Sequence, residues 1–516
     1  MRLARTTVLA LTLAACSSAP EVARPEALRP EVGFIDLDAS TSTLDDAALP
    51  SPATRLFYAL RPARSDPERA PLVVLHAGGP TASVLFLAVN GTGARPLGAR
   101  GASAREPAPL AGAHLLYLDA RQAGYSYGEL DDPSDPEARA AAFTAAAFNP
   151  YRDAADLLLA LFTVLDRHPS LAGHDVFLMG ESYGGLRSTV VFDLLLGSGA
   201  GAAGGGRFHD PALAAALEAG FPWVLGTSAP LPDEVTTWFR GQILLEPWFG
   251  GARQERITGE LLEAEGSPLD ALADETGTPY VRCEDQPGCE PYANARAFLD
   301  AIDRSPYDSR APSRWSLDRA AEVTAVATER DALAALLDVT PAALDAVFAV
   351  DRGRAYRFAD VGRRLTQPPG ELESAWGVVP PWDAYFATVN EDARRAFLGP
   401  EAQALAVDPN QEGWGERFVE ILRHVPTLIT RAEQDLAIYG PAIAATLASY
   451  PGVAAVTEAS SGQALDVAYS DGAVASIPAP RYADCSHAVL RDQPGLVLAD
   501  VARFMDEVGR SEFRGR

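Results

Sequence analysis

The tightest constraint on the fold is one short run. Four apolar residues, Val176-Phe177-Leu178-Met179, lead into Gly180-Glu181-Ser182-Tyr183-Gly184-Gly185, and the apolar stretch Leu186 to Leu196 follows. The first segment reads as a strand buried on both faces and the last as a helix. Reversing from strand to helix over so few residues crowds the backbone at the tip, and glycines on either side relieve that crowding. A serine at such a tip, in the pattern G-x-S-x-G, projects its hydroxyl from the top of a sheet as a candidate nucleophile, Ser182. The amide of Tyr183, first in the helix, is placed to bond a developing oxyanion.

Further strands and helices alternate around this turn. Leu72-Val73-Val74-Leu75 is a second buried-strand pattern, and it runs into the loop Ala77-Gly78-Gly79-Pro80. Leu115 to Asp119 is a third, and Phe221 to Gly226 a fourth. Between them, Ala154, Leu157, Leu158, Leu161 and Leu165 recur at helical spacing. Strands alternating with helices predict an α/β fold, a mostly parallel sheet covered by helices on both faces.

After residue 231 the strand rhythm fades. Ile257–Glu265, Asp331–Leu337, Pro341–Val347 and Asp392–Phe397 read as helices, the third with Thr340 as N-cap and Pro341 in its first turn. The sheet resumes at Val425–Thr430, and Pro494–Val508 reads as a closing helix. The expected plan is a core over residues 51–231 and 416–516, interrupted by a mainly helical cap over 232–415. Gly197–Gly206, almost all glycine, alanine and serine, reads as a flexible loop; no Lys-Ser/Thr follows it, so a phosphate cradle is not expected.

A serine hydroxyl needs a base, and the base needs an orienting acid. In sheets of this kind the order along the chain is serine, acid, histidine. Ala432-Glu433-Gln434-Asp435 follows the strand that resumes after the insertion, so Asp435 stands at a carboxyl end, where the functional groups of parallel sheets gather. Glu433 is its neighbouring rival. Asp484-Cys485-Ser486-His487 precedes the closing helix, and His487 is one of seven histidines. Ser182, Asp435 and His487 are therefore the candidate catalytic residues. The loop after the early strand supplies a second oxyanion donor, the amide of Gly79.

The N-terminus reads as an address. Arg2 and Arg5 precede an apolar run, Thr6 to Ala15, that is too short to span a bilayer. Leu13-Ala14-Ala15-Cys16 resembles a bacterial lipobox. Residues 1–15 would then be a lipoprotein signal peptide, and Cys16 would carry acyl chains that tether the chain to a membrane of the cell envelope. An ordinary secretion signal cut nearby is the alternative. Residues 16–50, rich in proline, alanine, serine and acids, read as a flexible tether. Export permits disulfides, and Cys283 and Cys289 flank a turn-rich stretch that a disulfide would close. No cysteine–histidine spacing suits zinc, and no cofactor motif is found. All basic residues are arginine, and the formal net charge of -26 repels phosphate backbones, so nucleic acid is excluded as a partner.

These motifs together resemble the serine carboxypeptidases, enzymes of the α/β-hydrolase fold. In that family the nucleophile lies in Gly-Glu-Ser-Tyr-Ala-Gly, here Gly180 to Gly185; the oxyanion loop Asn-Gly-Gly-Pro-Gly is resembled by Ala77 to Thr81. The acid motif Gly-Asp-x-Asp is resembled by Ala432 to Asp435, and His487 to Pro494 keeps the register of His-Met-Val-Pro-x-Asp-x-Pro. The resemblance implies peptide substrates read by their free C-terminal carboxylate, with Glu181 as a binding group. The clamp for that carboxylate is incomplete here: the asparagine position is Ala77, and Asn90-Gly91 stand where a further glutamate is expected. Asp119 to Ser126 instead fits the Asp-x-Arg-x-x-Gly-x-Ser run of prolyl-aminopeptidase-like enzymes, and His76 leans the same way. The expected function is an exported serine-type carboxypeptidase. A prolyl-type aminopeptidase, an esterase or acyltransferase, and a catalytically decayed surface binding protein are the alternatives.

Overall fold

The computed structural model describes residues 28–44, 47–51, 53–79, 82–96, 110–121, 123–128, 150–171, 173–196, 208–220, 238–350 and 414–510. In chain order the strands are β1 (Glu31–Leu37), β2 (Ser40–Leu44), β3 (Ala47–Ser51), β4 (Thr54–Arg61), β5 (Leu72–His76), β6 (His114–Leu118), β7 (Tyr127–Gly128), β8 (Val176–Glu181), β9 (Phe208–His209), β10 (Phe239–Leu245) and β11 (Thr427–Ile429). The main sheet runs β1-β4-β6-β5-β8-β10-β11, with β7 beside β4. From β6 to β11 all pairings are parallel; β1 and β4 join antiparallel. This is the mostly parallel, helix-covered α/β sheet expected from the alternating pattern.

The continuous apolar strands are explained by burial on both faces. Along β5, Leu72 and Val74 point into one core with the helices Pro150–Arg167 and Tyr183–Leu196. Val73 and Leu75 point into the other, with Val497, Val501 and Phe504 of the closing helix Pro494–Arg510. Successive side chains alternate across a strand, so an apolar residue at every position is what a covered sheet demands.

The tether expected over residues 16–50 ends earlier. β1 pairs with β4 over seven residue pairs, and Val32, Phe34, Ile35 and Leu37 are buried between sheet and helices. β2 and β3 form a hairpin that β9 extends. Averaged composition hid the alternation within this proline- and acid-rich stretch. The expected signal peptide over residues 1–15, Cys16 and the rest of residues 1–27 lie outside the described residues, as do Gly197–Gly206.

The insertion also starts later than expected. The strand expected at Phe221–Gly226 lies outside the described residues, and the strand beside β8 is β10, inside the span assigned to the cap. Between β10 and the helix Trp414–His424, the described elements are helices: Gly251–Leu262, Pro268–Thr276, a short 3-10 turn, Pro291–Ala301, Trp315–Thr328, Arg330–Leu337 and Pro341–Val350. Thr340 caps the last as expected, its hydroxyl accepting from the amide of Ala343 at 3.2 Å. Asp392–Phe397 lies outside the described residues. Cys283 and Cys289 form a disulfide in this region. A three-stranded antiparallel meander over Val453–Glu458, Ala464–Tyr469 and Val474–Pro478 was not foreseen.

Membership of β1 in the sheet has a measurable consequence. Phe34 is 7% exposed and meets the rings of Phe57 and Phe348 edge-on. Phe34→Ala is expected to cost about 3–5 kcal/mol, read as a lower urea midpoint at unchanged slope. A tether residue would shift stability by less than about 0.5 kcal/mol.

Candidate active site

Ser182 sits between β8 and the helix Tyr183–Leu196 with φ 58°, in the left-handed region that non-glycine residues avoid. The strain is held by hydrogen bonds on both sides. The amide of Ser182 donates to Leu245 O at the end of β10 (2.8 Å), and its carbonyl accepts from Gly185 and Trp248. A side chain at Gly180 would meet Gly184 O at 2.3 Å, so strand and helix approach more closely than any Cβ allows. The glycine spacing around the serine thus has a steric cause.

Asp435 and His487, far apart in the chain, are joined by a hydrogen bond. Asp435 is fully buried and follows the short strand Arg431–Ala432 just past β11. Its Oδ2 accepts from His487 Nδ1 at 2.6 Å. Its Oδ1 accepts from the amides of Ala437 (2.9 Å) and Ile438 (3.1 Å), so the carboxylate cannot rotate away. The proton on Nδ1 leaves Nε2 with its lone pair. Glu433, the neighbouring acid, instead pairs with Arg481 on the surface at 3.1 Å.

Strand register sets the segments bearing Ser182 and Asp435 at the same edge of the sheet. Leu245 of β10 lies opposite Glu181 of β8, and Leu244 opposite Ile429 of β11, so three adjacent strands end at one level. Two buried carboxyls lie at that edge besides Asp435. Glu181 feels the charges of both His487 and Asp435; burial chiefly, and then Asp435, push its carboxyl up to about 7. Its Oε1 is buried with no hydrogen-bond partner, and no arginine pairs with it among the described residues. Glu246, directly after β10, is also fully buried and raised by desolvation and by Asp435. Its amide donates to Thr430 Oγ1, whose hydroxyl donates back to Glu246 Oε1, both at 2.9 Å. For His487 burial opposes the charge, but Asp435, with Glu181 and Glu246 behind it, outweighs burial and lifts the imidazole to about 9.

The glycine loop lies against the elbow. A Cβ on Gly78 would fall 2.5 Å from Glu181 O, 2.7 Å from Ser182 Cβ and 2.9 Å from the Tyr183 amide nitrogen. The backbone of the loop therefore faces the Tyr183 amide across the serine, and Gly79 follows with φ 109°. Arg187 holds the loop from behind: its Nη1 donates to Ala77 O at 2.5 Å while Nε donates to buried Asp153 at 2.6 Å. The Asp119 to Ser126 run serves the scaffold. Asp119 accepts from the amides of Val84 (2.7 Å) and Tyr125 (3.0 Å), and Ser126 Oγ accepts from the amide of Phe57 at 2.9 Å. His76 is likewise buried, its Nε2 3.0 Å from Ser188 Oγ.

Glu246 and Arg187 were not singled out in the sequence. Arg187 carries a signal, a charge inside an apolar helix five residues after the serine. Glu246 carries one only once β10 is known to end there.

Gly78→Ala is expected to displace the glycine loop and lower kcat by about 10²-fold or more. Steady-state kinetics on an activated ester checks this, with circular dichroism confirming that the sheet persists.

Residues 47–195 match the serine carboxypeptidase family. Among solved structures, the prohormone-processing carboxypeptidase Kex1 of Saccharomyces cerevisiae is similar at a TM-score of 0.53 and 11% identity, covering 93% of this chain and 91% of that one. A proline iminopeptidase of Mycobacterium smegmatis is similar at a TM-score of 0.38 and 14% identity, covering 91% and 98%. No curated protein matches in sequence. The family match, which spans both the Gly78–Gly79 loop and Ser182, and the fold shared with Kex1 identify the chain as a serine hydrolase of the α/β-hydrolase fold, similar to the serine carboxypeptidases over residues 47–195.

Proposed function

We propose that the chain is an exported serine exopeptidase of the carboxypeptidase type, acting on peptides by acyl transfer through Ser182, His487 and Asp435. The observation that carries this reading is the 2.6 Å hydrogen bond from His487 to a buried, doubly anchored Asp435 beside the strained Ser182 elbow. His487 Nε2 takes the Ser182 proton as Oγ bonds to the substrate carbonyl carbon. The amides of Gly79 and Tyr183 hold the oxyanion, together supplying a few kcal/mol, about the range measured for such donors. His487 returns the proton to the leaving amine as the C–N bond breaks, and water then releases the acyl group by the same steps in reverse. Asp435 stabilises the imidazolium throughout.

Glu181 is the proposed contact to the substrate's terminal carboxylate. Held neutral by burial, it donates a hydrogen bond; ionised, it repels a carboxylate. The same acid, ionised, would suit a terminal amine, and this favours aminopeptidase action as the second reading. Cys16 is proposed as the lipid attachment site that holds the enzyme at a membrane of the cell envelope, with residues 17–27 as the spacer.

Ser182→Ala is expected to lower kcat by several orders of magnitude with the fold intact, and Asp435→Asn by about 10⁴-fold. Unchanged turnover in either would overturn the relay. Paired peptides, one N-blocked and one C-amidated, separate the two readings: a carboxypeptidase cleaves only the first. The pH profiles give a further check. The base works when neutral, so kcat/KM on an uncharged ester should rise with pH towards about 9. On free-acid peptides a loss above about 7 should be superimposed as Glu181 ionises. Equal profiles for the two substrates would remove Glu181 from carboxylate recognition.

A further inference from the structure

The acid and the base lie on two loops, 52 residues apart in the chain, that a third segment ties together. That segment, Ser305-Pro306-Tyr307-Asp308-Ser309-Arg310, belongs to the insertion, between the helices Pro291–Ala301 and Trp315–Thr328. Pro306 O accepts from the amides of Leu436 (2.7 Å) and Ala437 (2.9 Å), the two residues after Asp435. Tyr307 O accepts from the amide of His487 at 2.8 Å. Ser309 holds Gln434, the residue before Asp435, twice: its amide donates to Gln434 O (2.9 Å) and its hydroxyl to Gln434 Oε1 (2.8 Å). Arg310 Nη1 reaches Asp484 O at 3.2 Å, on the histidine loop.

The segment is itself stiff. Ser305 and Asp308 form a bridge, Ser305 N donates to Ala311 O and Ala311 N to Asp308 O, both at 2.9 Å. Arg310 Nε pairs with Asp308 at 3.0 Å, and Ser305, Asp308 and Ser309 are buried. The Tyr307 ring lies against the imidazole, centroids 5.2 Å apart and tilted by 57°, and Trp315 stacks on Tyr307 at 6.3 Å.

We infer that Ser305–Arg310 is a positioning clip, through which the insertion sets the alignment of His487 on Asp435, with Tyr307 the residue that seats the imidazole. The insertion then acts on the chemical step itself, besides whatever it does for substrate. The physical basis is the sharp dependence of proton transfer on alignment: displacing a reacting group by about 1 Å lowers rate by about 10²-fold. The inference rests on the proposed roles of His487 and Asp435.

The test uses the full chain and p-nitrophenyl acetate, an ester too small to need a peptide-binding surface. Tyr307→Ala is expected to lower kcat about tenfold or more with KM within about twofold, and Tyr307→Phe, which keeps the ring, to restore kcat to within about twofold. Ser309→Ala and Gln434→Ala should each lower kcat, and the double variant should lose no more than the worse single, because both remove one contact. These two carry the test if Tyr307→Ala does not fold by circular dichroism. Unchanged ester kcat in the Tyr307 and Ser309 variants, with losses confined to peptide KM, would overturn the clip. His487→Gln is assayed beside them: its inactivity with a normal Tyr307→Ala sinks the clip alone, whereas full activity of His487→Gln sinks the proposed relay as well.

Discussion

The site depends on three parallel strands ending at one level. β8 delivers Ser182, β10 delivers Leu245 and Glu246, and β11 leads within six residues to Asp435. The Ser182 amide donates to Leu245 O, and the Thr430 amide donates to Leu244 O, so the ladder hydrogen bonds continue to the last residue before the chain leaves the sheet. A parallel ladder fixes its neighbours about 4.8 Å apart. The carboxyl ends of neighbouring strands are thereby fixed at one spacing by backbone bonds, before any side chain contributes. The positive φ of Ser182 is sustained by the same bonds, since the Trp248 amide, just past β10, holds the serine's carbonyl.

That edge is electrostatically unusual. Three buried carboxyls, Asp435, Glu181 and Glu246, surround one imidazole. Burial and the neighbouring Asp435 raise both Glu181 and Glu246, while two amides and His487 hold the Asp435 carboxylate in place. Behind the elbow the opposite arrangement holds. Arg121, Arg152 and Arg187 are fully buried and joined to Asp153, Asp156 and Asp210 between the helices that flank the sheet. Planar guanidinium groups suit such pairing, and losing one partner typically costs about 3–5 kcal/mol by stranding the other charge. Arg187 links this buried charge cluster to the glycine loop through Ala77 O, so the stiffness of the scaffold is passed to the loop that faces the serine elbow.

Much of this was legible residue by residue. The strands with apolar side chains at every position, β5 and β8, were found because burial on two faces leaves no polar alternation. β1 was missed because its proline- and acid-rich surroundings masked a short apolar pattern, and β10 because its signal, Phe239-Arg240-Gly241-Gln242, is broken by polar residues that the neighbouring strands and closing helix accommodate. Gln242 is fully buried, with its amide group donating to Thr427 of β11, a partner 185 residues away that no local pattern reveals. The Asp119 to Ser126 run suggested a functional role, yet Asp119 and Ser126 accept from backbone amides of Val84, Tyr125 and Phe57, and Arg121 pairs with buried Asp156.

The sequence alone determined the parallel α/β architecture, the serine elbow and the order of serine, acid and histidine, because each is written in local spacing, apolar runs and glycine positions. Only the tertiary structure set Asp435 against His487 and Glu433 against Arg481, brought Glu246 and Arg187 beside the elbow, and laid the Pro306–Ser309 segment across two distant loops. Those outcomes turn on register and on contacts between segments far apart in the chain, and such pairings are set by the packing of the whole sheet and its insertion rather than by any window of residues.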